Sequence, residues 1–236
     1  QNSPNYSNKT RNLKDIKFII IHYTGMQSKI ESIKRLINPR SKVSCHYLID
    51  RKGAILEMVK INKIAWHAGK SKWKNHLNLN KISIGIELVN KGHQFGYEKF
   101  TNIQINNLIK LCKILKKKLK IKKQNILGHS DIAPTRKQDP GEKFPWKKLN
   151  HNHLGIWYKK KKLIIDKTLS NKQIHQIFFK NLFKIGYRYF EPNLNTVNNK
   201  LAIKAFQRHF NQSNISGKID EKTLKISHFL AVKKNN

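Results

Sequence analysis

The segment at residues 17–23, Lys-Phe-Ile-Ile-Ile-His-Tyr, constrains the fold more than any other part of the chain. Its apolar, β-branched run is short, which is typical of a buried strand rather than of a helix. The run ends in His22, so a polar ring is expected where a rigid strand reaches the rim of its sheet. Residues 82–89 form a second run of this kind, apolar except at three positions, one of which is Glu87.

Helical patterns alternate with these strands. Residues 28–37 carry isoleucine and leucine on one helical face, and Ser28 can cap that helix. Strands mixed with helices predict an α/β domain with a central mixed β-sheet flanked by helices. The other predicted elements are a hairpin over residues 44–50 and 55–59, a helix over residues 101–120 and a short strand over residues 124–129.

The chain divides into two unequal parts. Its 236 residues suit one sizeable domain and one small one. After residue 169 the pattern becomes entirely helical, and three apolar stripes predict a small three-helix bundle. The predicted boundaries are a flexible, asparagine-rich leader at residues 1–14, the α/β domain at 15–158, a lysine-rich linker at 159–169 and the helical domain at 170–236.

The formal net charge of +36 suggests the hypothesis of a nucleic-acid binder. Only seven of the 49 basic residues are arginine, however, and the basic residues are spread along the whole chain. A dedicated nucleic-acid surface is usually clustered and rich in arginine. We therefore attribute the charge to compositional bias and expect no nucleic acid as a partner. Cys45 and Cys112 form no ligand or disulfide pattern, and we expect both to be buried free thiols.

Two of the eleven histidines lie at the ends of predicted strands. His22 ends the first apolar strand and His129 the last, and Asp139 follows ten residues later. Strand ends hold side chains rigidly at a rim that faces a cleft. Two imidazoles and a carboxylate can bind zinc and leave its fourth position open for water, whose pKa zinc lowers to about 7. A histidine is more often a surface or core residue, so this spacing alone leaves both interpretations open.

Glu87 and Lys137 are the candidate catalytic side chains. A carboxylate inside a buried strand is costly unless it is paired or used, so Glu87 is either half of a buried salt bridge or a general base. Lys137 lies two residues before Asp139, and an extended segment would direct both side chains to the same side. Its ammonium could stabilise an oxyanion, but it is one lysine among 42 and its position does not single it out.

Six segments, in order along residues 15–150, resemble the Amidase_2 group of N-acetylmuramoyl-L-alanine amidases. They are Ile-Ile-His-Tyr-Thr at 20–24, Val-Ser-Cys-His-Tyr-Leu-Ile at 43–49, Ala-Trp-His-Ala-Gly at 65–69, Ser-Ile-Gly-Ile-Glu-Leu-Val-Asn at 83–90, Gly-His-Ser-Asp-Ile-Ala-Pro at 128–134 and Arg-Lys-Gln-Asp-Pro-Gly at 136–141. The resemblance implies hydrolysis of the amide between N-acetylmuramic acid and the L-alanine of the peptidoglycan stem peptide. It also implies Zn²⁺ as the cofactor, bound by His22, His129 and Asp139, with catalytic roles for Glu87 and Lys137.

Three further side chains are expected near the substrate. Trp66 can present a flat face to sugar or peptide, although packing in the core is an equal alternative, and His67 can form a hydrogen bond. His46, on a strand beside the site, is a further candidate. Phage members of the family commonly have a catalytic tyrosine where this chain has Cys45, and that difference places the role of base on Glu87.

The C-terminal part resembles peptidoglycan-binding domains of the three-helix type. The residues that carry this resemblance are Ala-Ile-Lys-Ala-Phe-Gln-Arg-His-Phe at 202–210 and Gly-Lys-Ile-Asp-Glu-Lys-Thr-Leu at 217–224. Such a domain would tether the enzyme and raise the local concentration of its substrate. The alternative is that the bundle only packs against the larger domain.

The combination of domains is similar to that of periplasmic, outer-membrane lipoprotein amidases. It implies peptidoglycan or muropeptides as partners, a location in the bacterial cell envelope and a lipid anchor ahead of Gln1. Nothing in the sequence demands more than a monomer. A non-catalytic peptidoglycan receptor is the alternative function, and the complete set of ligand and catalytic candidates counts against it.

Overall fold

The computed structural model describes residues 2–159, 168–194 and 196–232. The strands in these ranges are β1 (Tyr6–Thr10), β2 (Phe18–Tyr23), β3 (Tyr47–Ile49), β4 (Ile55–Glu57), β5 (Lys63–Ala65), β6 (Lys72–Trp73), β7 (His76–Leu77), β8 (Ser83–Leu88) and β9 (Ile126–Gly128). The α-helices are α1 (Lys29–Ile37), α2 (Asn102–Lys118), α3 (His129–Ile132), α4 (Trp146–His151), α5 (Asn171–Ile185), α6 (Val197–Phe210) and α7 (Glu221–Val232). In the described part of the chain, we find no helix that is both long and apolar enough to cross a membrane.

Five strands form the central sheet, in the order β4-β3-β8-β2-β9. β2 runs parallel to β8 and β9, and β3 runs parallel to β8. β4 closes the edge as the antiparallel partner of β3, which confirms the predicted hairpin. The mixed sheet with its flanking helices confirms the predicted α/β class.

The two faces of the sheet pack against different layers. Side chains alternate between the faces of a strand, so Ile19 and Ile21 of β2 join the core formed with α2. Phe18 and Ile20 point to the opposite face and belong to a second core. His22 continues this second alternation, and its register partner on β8 is Glu87.

Local capping explains where the helices of the larger domain begin. Ser28 Oγ accepts a hydrogen bond from the backbone nitrogen of Glu31 at 3.1 Å, which starts α1 as predicted. Thr101 caps α2 in the same way, through the nitrogen of Gln104. The predicted strand at 124–129 is shorter than expected, because His129 already begins α3.

The C-terminal helices α5, α6 and α7 form the predicted bundle. Their apolar side chains, among them Phe178 and Phe206, continue the core that contains Phe18 and Ile20 of the sheet. The bundle and this face of the sheet therefore share one apolar interior. The predicted linker at 159–169 falls mostly on residues 160–167, which lie outside the described residues.

The prediction of a flexible leader at residues 1–14 is wrong for the residues that the structure describes. β1 pairs antiparallel with β5, and Ser3 and Asn5 are buried. Asn5 Nδ2 lies 2.9 Å from the carbonyl oxygens of both Asn38 and Val43, so it ties the segment to the residues that follow α1. Polar composition suggested a loose segment, but the buried amide of Asn5 donates hydrogen bonds to backbone carbonyls at the end of α1 and just after it.

We predict that Asn5→Ala lowers the free energy of unfolding by about 1–3 kcal/mol, because it removes a buried amide that donates to the carbonyl oxygens of Leu36, Asn38 and Val43. Urea denaturation followed by circular dichroism measures the change. Asn8→Ala is the matched control, since Asn8 is an exposed asparagine of β1, the strand that follows Asn5. Equal stability of the two variants would contradict the assignment of this segment as an integral part of the fold.

Candidate metal centre and active-site cleft

Three strands deliver polar side chains to one edge of the sheet. His22 lies near the end of β2 and faces Glu87 across the parallel pair, while His129 follows directly after β9. The carboxyl ends of parallel strands meet at the same edge, which is where open α/β sheets bind ligands. Asp139 reaches this edge from the loop after α3, and the backbone nitrogen of Ser130 donates to its carbonyl oxygen at 2.9 Å.

The three predicted ligands converge on one point. Nδ1 of His22, Nδ1 of His129 and Oδ2 of Asp139 lie 3.0 Å from one another, and all three residues are buried. They also form a group whose ligand atoms could together hold a metal ion. A tetrahedral zinc ion with bonds of about 2.0–2.1 Å separates its ligand atoms by about 3.3 Å, close to this spacing.

A chain of hydrogen bonds fixes which nitrogen of His22 faces the cluster. Ser83 Oγ donates to the carbonyl of Leu79 at 2.6 Å, so it accepts from Nε2 of His67 at 3.2 Å. Nδ1 of His67 then carries no proton and accepts from Nε2 of His22 at 3.1 Å. This leaves Nδ1 of His22 as a bare lone pair directed into the cluster.

His129 is oriented in the same way by a backbone carbonyl. Its Nε2 lies 3.2 Å from the carbonyl oxygen of Ala68 and 3.4 Å from Nη2 of Arg136. In the tautomer that donates from Nε2 to Ala68, Nδ1 of His129 is unprotonated, so two lone pairs and the carboxylate of Asp139 face one another within 3.0 Å. Acceptors this close repel one another unless a cation lies among them, and the donor set of two imidazoles and one carboxylate suits zinc.

Burial and neighbouring charges shift the pKa values of His22 and Asp139. Burial, followed by the neighbouring His129, lowers the pKa of His22 to about 4, while Asp139 opposes that shift. Burial alone would raise the pKa of Asp139, but the interactions with His129 and His22 hold it well below its usual range.

Glu87 has the environment of a proton carrier. Its Oε2 is buried and has no hydrogen-bond partner among the described residues. Burial, followed by the negative charge of Asp139, raises the pKa of Glu87 to about 8, while Lys137 opposes that rise. A carboxyl group whose pKa lies near neutrality can both take up and release a proton. The alternative of a buried salt bridge is not what the structure shows, because no ion pair holds Glu87 in the described part of the chain.

The cluster opens into a cleft of about 360 Å³. Glu87 and Lys137 both line it, together with Trp66, which is half-buried, and His67. The structure thus brings together seven of the eight predicted site residues. His67 has a second role as well, because its two ring nitrogens form hydrogen bonds with Nε2 of His22 and with Oγ of Ser83.

His46 is the exception among the predicted site residues. It is fully buried and does not line the cleft. Its Nδ1 accepts from the backbone nitrogen of Gly85 at 3.0 Å, and its Nε2 lies 3.2 Å from the carbonyl oxygen of Lys63. His46 therefore forms hydrogen bonds with the backbone of neighbouring strands and does not line the cleft.

Cys45 also departs from a catalytic environment. The thiol is fully buried, and burial together with the charge of Glu87 raises its pKa well above the usual value. It remains a neutral thiol near pH 7 and is a poor acceptor of protons. Both cysteines are free and buried, as predicted.

Sequence reasoning missed a second polar wall of the cleft. Tyr23 donates its hydroxyl to Nδ1 of His93 at 2.9 Å, and Nε2 of His93 reaches Glu142 at 3.0 Å. Tyr23 and His93 both line the cleft. The position of Tyr23 next to His22 was a signal for the first residue, but nothing in the local pattern indicated His93.

Three side chains that could together hold a metal ion thus lie at the carboxyl edge of a mixed α/β sheet, with an unpaired carboxyl oxygen beside them. The chain belongs to the Amidase_2 family, N-acetylmuramoyl-L-alanine amidase, whose model matches residues 12–142. All three members of the cluster, as well as Glu87 and Lys137, lie within the matched range.

Similarity to known members extends beyond the matched domain. The N-acetylmuramoyl-L-alanine amidase AmiD of Escherichia coli is 33% identical over 234 residues, which cover 92% of this chain and 83% of the relative. The structure of AmiD in complex with anhydro-N-acetylmuramic acid-L-Ala-D-γ-Glu-L-Lys superposes with a TM-score of 0.80 at 30% identity, covering 97% of this chain and 92% of that one. AmpDh3 of Pseudomonas aeruginosa, in complex with anhydromuramic pentapeptide, gives a TM-score of 0.79 at 29% identity, covering 99% and 98%.

We predict that His67→Ala weakens zinc binding by about 10- to 100-fold, because Nε2 of His22 loses the acceptor that fixes its tautomer. Competition with a chromogenic chelator measures the dissociation constant. His151→Ala removes an exposed histidine outside the cluster and serves as the control. Unchanged zinc affinity in the His67 variant would show that the hydrogen bond from His22 to His67 does not determine which nitrogen of His22 can bind the metal.

Proposed function

We propose that this protein is a zinc-dependent N-acetylmuramoyl-L-alanine amidase, which hydrolyses the bond between N-acetylmuramic acid and the L-alanine of the stem peptide. The observation that carries the proposal is the convergence of Nδ1 of His22, Nδ1 of His129 and Oδ2 of Asp139 within 3.0 Å, next to a carboxyl group with an unpaired oxygen. Family membership supports the amide bond as the target, and the donor set supports zinc.

His22, His129 and Asp139 would hold the metal. When bound, zinc supplies Lewis-acid polarisation of a carbonyl oxygen and makes water more acidic. The other steps are carried by side chains of the chain itself, which line the same cleft.

Glu87 acts as the general base and then as the general acid. It takes the proton from the attacking water and passes it to the amine of L-alanine as the amide bond breaks. Its pKa of about 8 keeps both protonation states accessible near neutral pH. Lys137, on the same cleft, stabilises the negative charge that develops on the carbonyl oxygen.

The charge of the cleft suits a muropeptide. Arg35, Arg136 and Lys137 line it, and carboxylates of a stem peptide are complementary to these cations. Two of the similar solved structures contain anhydromuramyl peptides, so soluble anhydro-muropeptides are the substrates we would examine first. Trp66 is placed to contact sugar or peptide at the wall of the cleft.

The remaining assignments rest on the resemblance of the combination of domains. We propose peptidoglycan or muropeptides as partners and the bacterial cell envelope, periplasmic and lipid-anchored at the outer membrane, as the location. We further propose that residues 170–236 contribute to binding of the wall and that the protein acts as a monomer.

We predict that the zinc-loaded protein releases free stem peptide from anhydro-muropeptides and that Glu87→Gln lowers kcat by about 10²–10⁴-fold, because proton transfer is lost while shape is kept. Mass spectrometry identifies the released peptide, and the time course of its release gives kcat. Chelation of the metal is expected to abolish release.

Glu57→Gln is the matched control, because Glu57 lies on the edge strand β4 and pairs with the exposed Lys60. It should retain full activity. If zinc and muropeptide bind to the unchanged protein but no bond is cleaved, the chain is a peptidoglycan receptor and the roles of Glu87 and Lys137 are refuted.

A further inference from the structure

A buried carboxylate lies directly behind the metal ligands. Asp131 is two residues after His129, on the short helix α3, and is only 1% exposed. Its Oδ2 accepts a hydrogen bond from the backbone nitrogen of Gly128 at 2.8 Å. This bond joins Gly128, directly before His129, to Asp131, two residues after it, and fixes the turn that leads from β9 into α3.

The other donors to Asp131 come from the C-terminal bundle. Tyr187, which follows α5, donates its hydroxyl to Oδ1 at 2.5 Å, and His209 of α6 donates from Nδ1 to Oδ2 at 2.8 Å. Both donors are buried. A buried carboxyl group is unfavourable without hydrogen-bond partners, so the larger domain relies on the bundle for two of the partners of this group.

Ring packing fixes the position of His209. Its imidazole stacks on Trp146 of α4, with ring centroids 3.9 Å apart and planes at 15°. The imidazole also stacks on the ring of the next residue, Phe210, with ring centroids 3.9 Å apart. Its Nδ1 lies 2.8 Å from Oδ2 of Asp131. The ring is thus held in one place and one orientation relative to α3.

Helix α6 also contacts the segment that carries the third ligand. Arg208 donates to Oε1 of Gln138, the residue before Asp139, at 2.9 Å. Gln212, just after α6, donates to the carbonyl oxygen of Phe144 at 2.7 Å. One helix of the bundle therefore braces the segments of both His129 and Asp139.

We propose that the C-terminal bundle is a structural part of the catalytic unit, in which Tyr187 and His209 act as positioning residues that hold the Asp131 turn and, through it, the metal ligand His129. The bundle lies outside residues 12–142, the range that defines the family domain. A simple tether would need a flexible connection and no shared interior, whereas here the interior is continuous and a buried carboxyl group of one part is satisfied by the other. The metal-positioning part of this inference rests on the proposed zinc site.

The test compares two full-length variants that each lose one buried hydroxyl group of the bundle. Tyr187→Phe removes the donor to Asp131. Ser227→Ala removes a hydroxyl from α7 whose partners, Asn181 and Leu224, both lie within the bundle. We expect Tyr187→Phe to weaken zinc binding by about 10-fold, toward the lower end of the losses seen when outer-shell partners are removed. Ser227→Ala should change the dissociation constant by less than about twofold, because its partners do not touch the ligands.

A second readout works without metal. Hydrogen exchange of the metal-free proteins reports local opening of the peptide that contains residues 128–139, including the bond from Ser130 to Asp139. Exchange in this peptide should be at least about 10-fold faster in Tyr187→Phe than in Ser227→Ala. Kinetics on a soluble muropeptide should show a lower kcat for Tyr187→Phe, whereas a pure tether would leave both kcat and KM unchanged on a small substrate.

Equal zinc affinity and equal exchange of the two variants would overturn the proposal and leave the bundle as a separate module. If the unchanged protein bound no zinc, the proposed amidase mechanism would fail, and the exchange measurement would still decide whether the bundle holds the Asp131 turn. The two failures are therefore distinguishable.

Discussion

The parallel pairing of β2 with β8 on one side and β9 on the other is the constraint on which the site depends. It sets His22 opposite Glu87 and brings the end of β9, where His129 follows, to the same edge. The apolar residues that alternate with these polar ones are buried on both faces, and their burial provides the main driving force for the pairing. The residues that stabilise the sheet thus also determine where the ligands point.

Close packing next to the sheet completes this arrangement. An ideal Cβ atom on Gly85 would lie 2.3 Å from Cγ of His67, so only glycine leaves room for the ring that orients His22. Hydrogen bonds then select the nitrogen of each ligand that faces the cluster, and the bundle satisfies Asp131 behind His129. The centre is positioned by layers of contacts that come from widely separated parts of the chain.

The sequence was informative where chemistry and local periodicity coincide. The short apolar run of β2 and the cap at Ser28 indicated the fold class. The resemblance to the family implied the cluster of His22, His129 and Asp139, to which the polar residues at strand ends had pointed. Sequence reasoning failed for residues whose role depends on distant partners. The polar leader is ordered because Asn5 meets carbonyl groups 33 and 38 residues away, and His46 is removed from the cleft by its bonds to backbone. Long-range hydrogen bonds of this kind leave no local pattern, and neither His93 nor the link from Tyr187 to Asp131 could be read from spacing.

The central claim is that the edge of the sheet is built to hold one zinc ion. Anomalous diffraction at the zinc absorption edge, from crystals of the zinc-loaded protein, tests it most directly. The account predicts one strong peak within about 2.0–2.2 Å of Nδ1 of His22, Nδ1 of His129 and a carboxylate oxygen of Asp139. Zinc bound through Nε2 of either histidine, or found only on other residues, would contradict it.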